Sequence, residues 1–180
     1  MSKVILITGM SGVGKTTLSK ELEKHLRSQY DYDALYLLDG DVTRQNLYPE
    51  LRFSKEDREE NLKRASWLAN YLATGSNRVI VLMAYIAPYP EIRKNIKNTI
   101  DCEYKTIYLN APLEVLKKRD PKGLYKKALN GEIEKFTGVT DPYIPPQLPD
   151  LSIDTSKYSI EECALTIRNF VLKKEWNATI

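Results

Sequence analysis

No part of this chain limits its possible folds more than Gly9-Met-Ser-Gly-Val-Gly14-Lys15-Thr16. The stretch has the spacing G-x-x-x-x-G-K-[ST], it follows an apolar run at residues 4–7, and it leads into a helical pattern in which Leu18, Leu22 and Leu26 share a face. Glycines at these positions let the backbone curl until successive N–H groups face inward. The start of the next helix adds partial positive charge, so strand, loop and helix together make a cradle for phosphate oxygens. Gly9, Met10, Ser11, Gly12, Val13, Gly14, Lys15, Thr16 and Thr17 are the expected contacts. Lys15 is placed to reach the β- and γ-phosphates of a nucleotide such as ATP, and the Thr16 hydroxyl to ligate Mg²⁺.

The rest of the sequence repeats the strand-then-helix order. Short apolar runs at 35–38, 79–84, 106–109 and 151–153 read as buried strands. Ser54 and Asp57 open a helix as a capping box, with Leu62, Ala65, Ala69 and Leu72 facing inward and Gly75 ending it. Ser159 and Glu162 open the last helix, on which Ile160, Cys163, Ile167 and Val171 form an apolar stripe. Parallel strands need crossover connections, usually helical. The expected fold is therefore a three-layer α/β/α arrangement of the P-loop NTPase type, with a mostly parallel five-stranded sheet and a lid segment. The length, 180 residues, suits one domain spanning 1–180.

Composition excludes several classes. At 42% hydrophobic and 28% charged the chain is neither disordered nor collagen-like, and two cysteines, Cys102 and Cys163, do not make a disulfide scaffold. No apolar run approaches the length of a membrane span, so a reduced, cytoplasmic setting without a membrane partner is expected. The formal charge of +3 is too small for a nucleic-acid footprint, which leaves local clusters to bind any anion. His25, the only histidine, is expected on the surface of the first helix.

Two local patterns point to chemistry beyond the phosphate loop. The strand at 79–84 ends without a carboxylate, whereas the strand at 35–38 runs into Asp39-Gly40-Asp41, at the strand end where open α/β sheets hold ligands. One of these carboxylates is suited to Mg²⁺ and the other to orienting or deprotonating an acceptor hydroxyl. Basic side chains then gather in two places: Arg44, Arg52 and Arg58 around Phe53, with Asn61 close behind, and Lys117 to Lys127, broken by Asp-Pro and Lys-Gly. Arginine forks suit phosphate or sulfate, and a phenylalanine face suits a purine. Five of the nine prolines and three of the eight glycines lie in residues 120–149, which read as a lid. There is no N-K-x-D guanine-reading motif, so phosphotransfer to a small molecule is favoured.

These residues resemble the adenylylsulfate (APS) kinases, which move the γ-phosphate of ATP to the 3′-hydroxyl of adenosine 5′-phosphosulfate. The resemblance covers nearly the whole chain. It rests on residues 9–17, Leu38-Asp-Gly-Asp41, Phe53-Ser, Asp57-Arg-Glu-Glu-Asn61, Arg119-Asp-Pro-Lys-Gly-Leu-Tyr-Lys-Lys-Ala128 and Phe136-Thr-Gly138 with Asp141-Pro-Tyr143. It implies Lys15 and Asp41 as catalytic residues, Thr16 and Asp39 toward the metal, and Arg119 near the ATP base. Asp41, Arg44, Phe53, Arg58, Asn61, Ile86, Ala87, Lys122 and Phe136 are implied at the adenylylsulfate, with Phe53 and Phe136 sandwiching its adenine. It further implies a separate ATP sulfurylase as supplier, since 180 residues leave no room for a fused one, and a homodimer is among the assemblies open to it. Departures cluster: Asp41 is followed by Val42-Thr43-Arg44, Leu51-Arg52-Phe53 stands for Leu-Gly-Phe, and Ile86-Ala87-Pro88-Tyr89-Pro90 stands for an Ile-Ser-Pro segment with a following arginine. Ala87 has no hydroxyl to phosphorylate, which leaves direct transfer. Two other readings stay open: a kinase of the same fold with a different nucleotide-like acceptor, and an ATP-binding regulatory protein without transfer activity.

Overall fold

A computed structural model describes residues 1–29 and 32–172; the expected domain also takes in residues 30–31 and 173–180, which lie outside the described residues. Five strands, β1 (Lys3–Thr8), β2 (Ala34–Asp39), β3 (Val79–Ala84), β4 (Glu103–Asn110) and β5 (Leu151–Asp154), form one sheet in the order β2-β3-β1-β4-β5. Every pairing is parallel, from Ile5 opposite Leu82 and Lys105 at the centre to Leu109 opposite Ile153 at the edge. All five expected strands are present, each at or within three residues of its expected limits.

Helices cover both faces. On one, Ile5, Ile7, Leu82 and Leu109 pack against Leu18, Leu22 and Leu26 of α1 (Lys15–Gln29) and Cys163, Ile167 and Val171 of α7 (Ile160–Leu172). On the other, Val4, Leu6, Val81 and Met83 meet Leu62, Ala65 and Ala69 of α3 (Lys55–Thr74) and Ile92 and Ile96 of α4 (Pro90–Thr99). Successive side chains of β1 thus enter opposite cores, as a strand buried on both sides requires. Leu72 is only half-buried, and Ile160 is exposed, so the buried stripe of α7 begins at Cys163. Ile160 is the first residue of its helix and has no turn before it to pack beneath.

The capping boxes differ. At α7, Ser159 and Glu162 exchange backbone N–H bonds with each other's side chains. At α3, the Ser54 hydroxyl accepts from the Asp57 N–H, but the Asp57 carboxylate accepts from the Arg52 N–H, so the box is half-formed. The breakers expected in the second basic cluster divide it into α5 (Leu113–Arg119) and α6 (Leu124–Leu129), joined by the turn Asp120–Gly123. A short helix, α2 (Gly40–Asn46), follows β2 directly; its start was hidden in the sequence because Asp39 is both the last strand residue and the N-cap.

Gly9 is where β1 passes into the phosphate loop, at φ 149°, and a Cβ there would lie 2.3 Å from the Leu109 carbonyl oxygen of β4. Only glycine lets the loop approach the neighbouring strand so closely. Gly131, at φ 76°, has open space where its Cβ would be. Gly9→Ala should therefore cost about 3 kcal/mol in urea unfolding and Gly131→Ala about 1 kcal/mol, from backbone conformation alone. Equal costs would mean that the approach to β4 is not what demands glycine.

Candidate active site

At the carboxyl ends of β1 and β2 the loop closes around its own lysine. The Lys15 ammonium donates to the Gly9 and Met10 carbonyls at 2.9 Å each. Burial lowers its pKa from 10.5 to about 8, against the opposing pull of Asp41 first and Asp39 second. The Thr16 hydroxyl donates to Asp39 Oδ2 at 2.6 Å, while Asp39 Oδ1 accepts from the Asp41 and Val42 N–H groups at 2.9 and 3.4 Å. Asp39 is thus tied to the loop hydroxyl and to the start of α2, and it is buried; Asp41, two residues on, is exposed. Thr16 and Asp39 bring hard oxygen donors together, as an Mg²⁺ site requires.

The lid lies against this loop. Lys122 from the α5–α6 turn forms a salt bridge with Asp41. The Tyr125 hydroxyl donates to the Ser11 carbonyl at 3.0 Å, and a Cβ on Gly138 would lie 2.5 Å from Met10 Sδ. Tyr125, Ala128, Phe136 and Thr137 are buried and anchor residues 120–149 to the core, while most of the rest of that segment stays exposed or half-buried. Phe136 meets Tyr125 edge to face at 4.9 Å.

Beside the lid, the acceptor candidates converge on Arg58. This buried guanidinium donates to the Phe53 and Lys135 carbonyls at 2.9 and 2.8 Å and to the Thr137 hydroxyl, and it lies 3.2 Å from Asp141 Oδ2. One turn later Asn61 is 2% exposed, and its Oδ1 has no donor among the described residues. An acceptor so placed suits a ligand N–H or an ordered water. Phe53 is largely exposed, with the Arg44 guanidinium 5.0 Å from its ring centroid. Burial, then the neighbouring charge of Arg58, lower the pKa of Arg44. Arg119, at the end of α5, instead donates to the Thr155 hydroxyl and carbonyl at 3.0 and 2.6 Å.

The wall that holds Ile86 and Ala87 is pinned from several sides. Thr8 donates to the Ile86 carbonyl, Arg93 donates to the Ala87 carbonyl at 2.7 Å, and the Ile144 N–H donates to Pro88 at 3.0 Å. Ala87 is buried at φ 42°, a left-handed conformation that an alanine rarely adopts. Strain of this kind persists only where surrounding contacts enforce it.

Sequence reasoning assigned no role to Tyr89, Thr137 or Asp141. The Tyr89 hydroxyl donates to Asp141 Oδ2 at 2.8 Å, so Arg58 of α3, Asp141 of the lid and Tyr89 of the wall form one network. Burial, helped by the Asp141 carboxylate, pushes the Tyr89 phenol up to about 12. Tyr89 and Asp141 lay inside motifs already singled out, but their pairing spans 52 residues and has no local signature.

The adenylylsulphate kinase family model matches residues 1–154. An adenylyl-sulfate kinase of Halothermothrix orenii is 45% identical over 170 residues, covering 94% of this chain and 89% of that protein; one of Rippkaea orientalis is 47% identical over 163 residues, covering 91% and 87%. Among solved structures, the Mycobacterium tuberculosis APS kinase in complex with AMPPNP and APS superposes with a TM-score of 0.88 at 36% identity, covering 94% of this chain and 97% of that one. A sugar kinase from Janibacter, 17% identical with a TM-score of 0.66, shares the fold. On the strength of the family match and these relatives, the chain belongs to the adenylylsulphate kinase family.

Proposed function

We propose that this protein transfers the γ-phosphate of ATP to the 3′-hydroxyl of adenosine 5′-phosphosulfate. The observation that carries this reading is the meeting of the phosphate loop with the Asp39–Asp41 corner on one side and the lid-roofed Arg58–Asn61 turn on the other. It gathers donors for a polyphosphate, a carboxylate for a hydroxyl, and a cationic, aromatic-flanked surface for a nucleotide anion. The reading also includes a cytoplasmic setting and a separate ATP sulfurylase that makes the acceptor.

In this mechanism Lys15 and the loop N–H groups neutralise the phosphates, and Thr16 with Asp39 would hold Mg²⁺, which when bound spreads the developing charge of the β- and γ-phosphate oxygens. Asp41 accepts the proton of the 3′-hydroxyl as the new O–P bond forms and the bond from the γ-phosphorus to the β,γ-bridging oxygen breaks. Lys122 holds the Asp41 side chain toward the loop. Arg58 and Arg44 take the anionic end of the acceptor, Phe53 and Phe136 flank its base, and Arg119 lies toward the ATP base. Ala87 has no hydroxyl, so transfer through this position is excluded and the phosphoryl group passes directly.

Five measurements test the reading. Lys15→Ala should lower turnover by about a thousandfold or more. Its melting temperature in the absence of nucleotide should not fall, because the burial that lowers the Lys15 pKa makes the native charge a cost. Since Lys15 is charged below about 8 and neutral above, kcat/KM for ATP should decline as pH rises through that value. In an ADP-release assay across adenylylsulfate, AMP and CMP derivatives, adenylylsulfate should be strongly preferred; preference for another acceptor overturns the assignment and favours the kinase with altered specificity, motivated by Ala87 and Pro90. ATP binding without acceptor-dependent ADP release would instead favour the regulatory reading. Tyr89→Phe, which removes one hydrogen bond to a carboxylate, should raise the acceptor KM about tenfold and leave the ATP KM unchanged.

A further inference from the structure

Away from the phosphate loop, Glu21 and His25 lie one turn apart on α1, and Glu161 approaches them from the first turn of α7. One donor atom from each lies within 4.8 Å of the other two. His25 Nε2 is 3.2 Å from Glu161 Oε1 and 3.8 Å from Glu21 Oε1. Ligands about 2.1 Å from a tetrahedral ion stand about 3.4 Å apart, so the two spacings from His25 need change by only a few tenths of an ångström, and the two glutamates, within 4.8 Å of each other, close on the same point by side-chain rotation. Ten residues of α1 separate His25 from Lys15, about 15 Å along the axis, which sets this group apart from the nucleotide site. His25 was expected on the open face of α1; the packing of α7 along that helix turns it into a junction between the two.

We propose that Glu21, His25 and Glu161 form a binding site for one divalent transition-metal ion of the zinc type, with imidazole Nε2 and two carboxylates as ligands and a fourth position open to water. The donor set selects the class: imidazole with carboxylate suits Zn²⁺, Co²⁺ or Ni²⁺, whereas Mg²⁺ and Ca²⁺ prefer shells of oxygen alone. Local contacts leave the ligand atoms free to converge. Lys24 holds Glu21 through Oε2 at 2.6 Å, on the oxygen that does not face His25. The reciprocal Ser159–Glu162 cap fixes the turn of α7 that carries Glu161. The ion would fasten the rim of α1, whose first turn carries Lys15 and Thr16, to α7, over the core that Leu22, Leu26, Cys163 and Ile167 already share.

The test uses the full-length chain without a metal-binding tag, in excess Mg²⁺ so that Thr16 and Asp39 do not take up the added metal. Calorimetric titration with ZnCl₂ should show one site with a Kd on the order of micromolar, and a hundredfold excess over Kd should raise the melting temperature by several degrees. His25→Gln and Glu161→Gln should each weaken binding about tenfold or more and keep wild-type kinase activity, while Cys102→Ser should bind as wild type. Because the chain has a single histidine, its imidazole C–H signal in NMR reports this site alone. The signal should shift with Zn²⁺ and move far outside its normal range with Co²⁺. Wild-type affinity in both glutamine variants, or a histidine signal unmoved by Zn²⁺, would overturn the proposal. Should His25→Gln fail to fold, Glu161→Gln and the wild-type histidine signal decide it.

Discussion

Lys15 places a positive charge beneath a loop that has only its own carbonyls to hold it, and much of the architecture answers that demand. The Gly9 and Met10 carbonyls can reach the ammonium only if the loop is tightly curled, and the curl requires glycine where β1 passes the Leu109 carbonyl of β4. Two carboxylates, Asp39 and Asp41, supply the balancing field, and their position follows from β2 lying two places from β1 in a parallel sheet. Because the ammonium is buried, its charge costs free energy in the protein by itself.

The lid is joined to this centre through contacts that are individually modest. Lys122 meets Asp41, Tyr125 meets Ser11, Gly138 lies against Met10, and Asp141 joins Arg58 to Tyr89. Each ties this segment to the phosphate loop, to α2 or to α3 and the wall, so these parts of the molecule share side chains. The strained Ala87 belongs to the same arrangement. Arg93, Thr8 and Ile144 donate to the carbonyls of Ala87, Ile86 and Pro88, and together they hold a backbone conformation that an isolated alanine avoids.

Much of the fold was legible because its signals are local. Buried parallel strands announce themselves as unbroken apolar runs, and Leu18, Leu22 and Leu26 mark α1 by spacing alone. The errors came where a residue serves two purposes. Asp39 ends β2 and caps α2, so propensity could not divide the elements, and Asp57 answers the Arg52 N–H in place of completing its box. Within the lid segment, Tyr125 is buried and Phe136 packs edge to face against it, a pairing that the proline and glycine content around them gives no sign of.

The sequence by itself determined the phosphate loop, the parallel sheet, the Asp39–Asp41 corner and the two basic clusters, since each depends on residues within a few positions of one another. Only the tertiary structure decided which of the two carboxylates meets Thr16, that Tyr89 and Asp141 join the Arg58 network, and that a lone histidine stands between glutamates of two helices. Those pairings link residues 23, 52 and 136 positions apart. Their distances are set by how helices pack on the sheet, a property of the whole chain that no short stretch of it encodes.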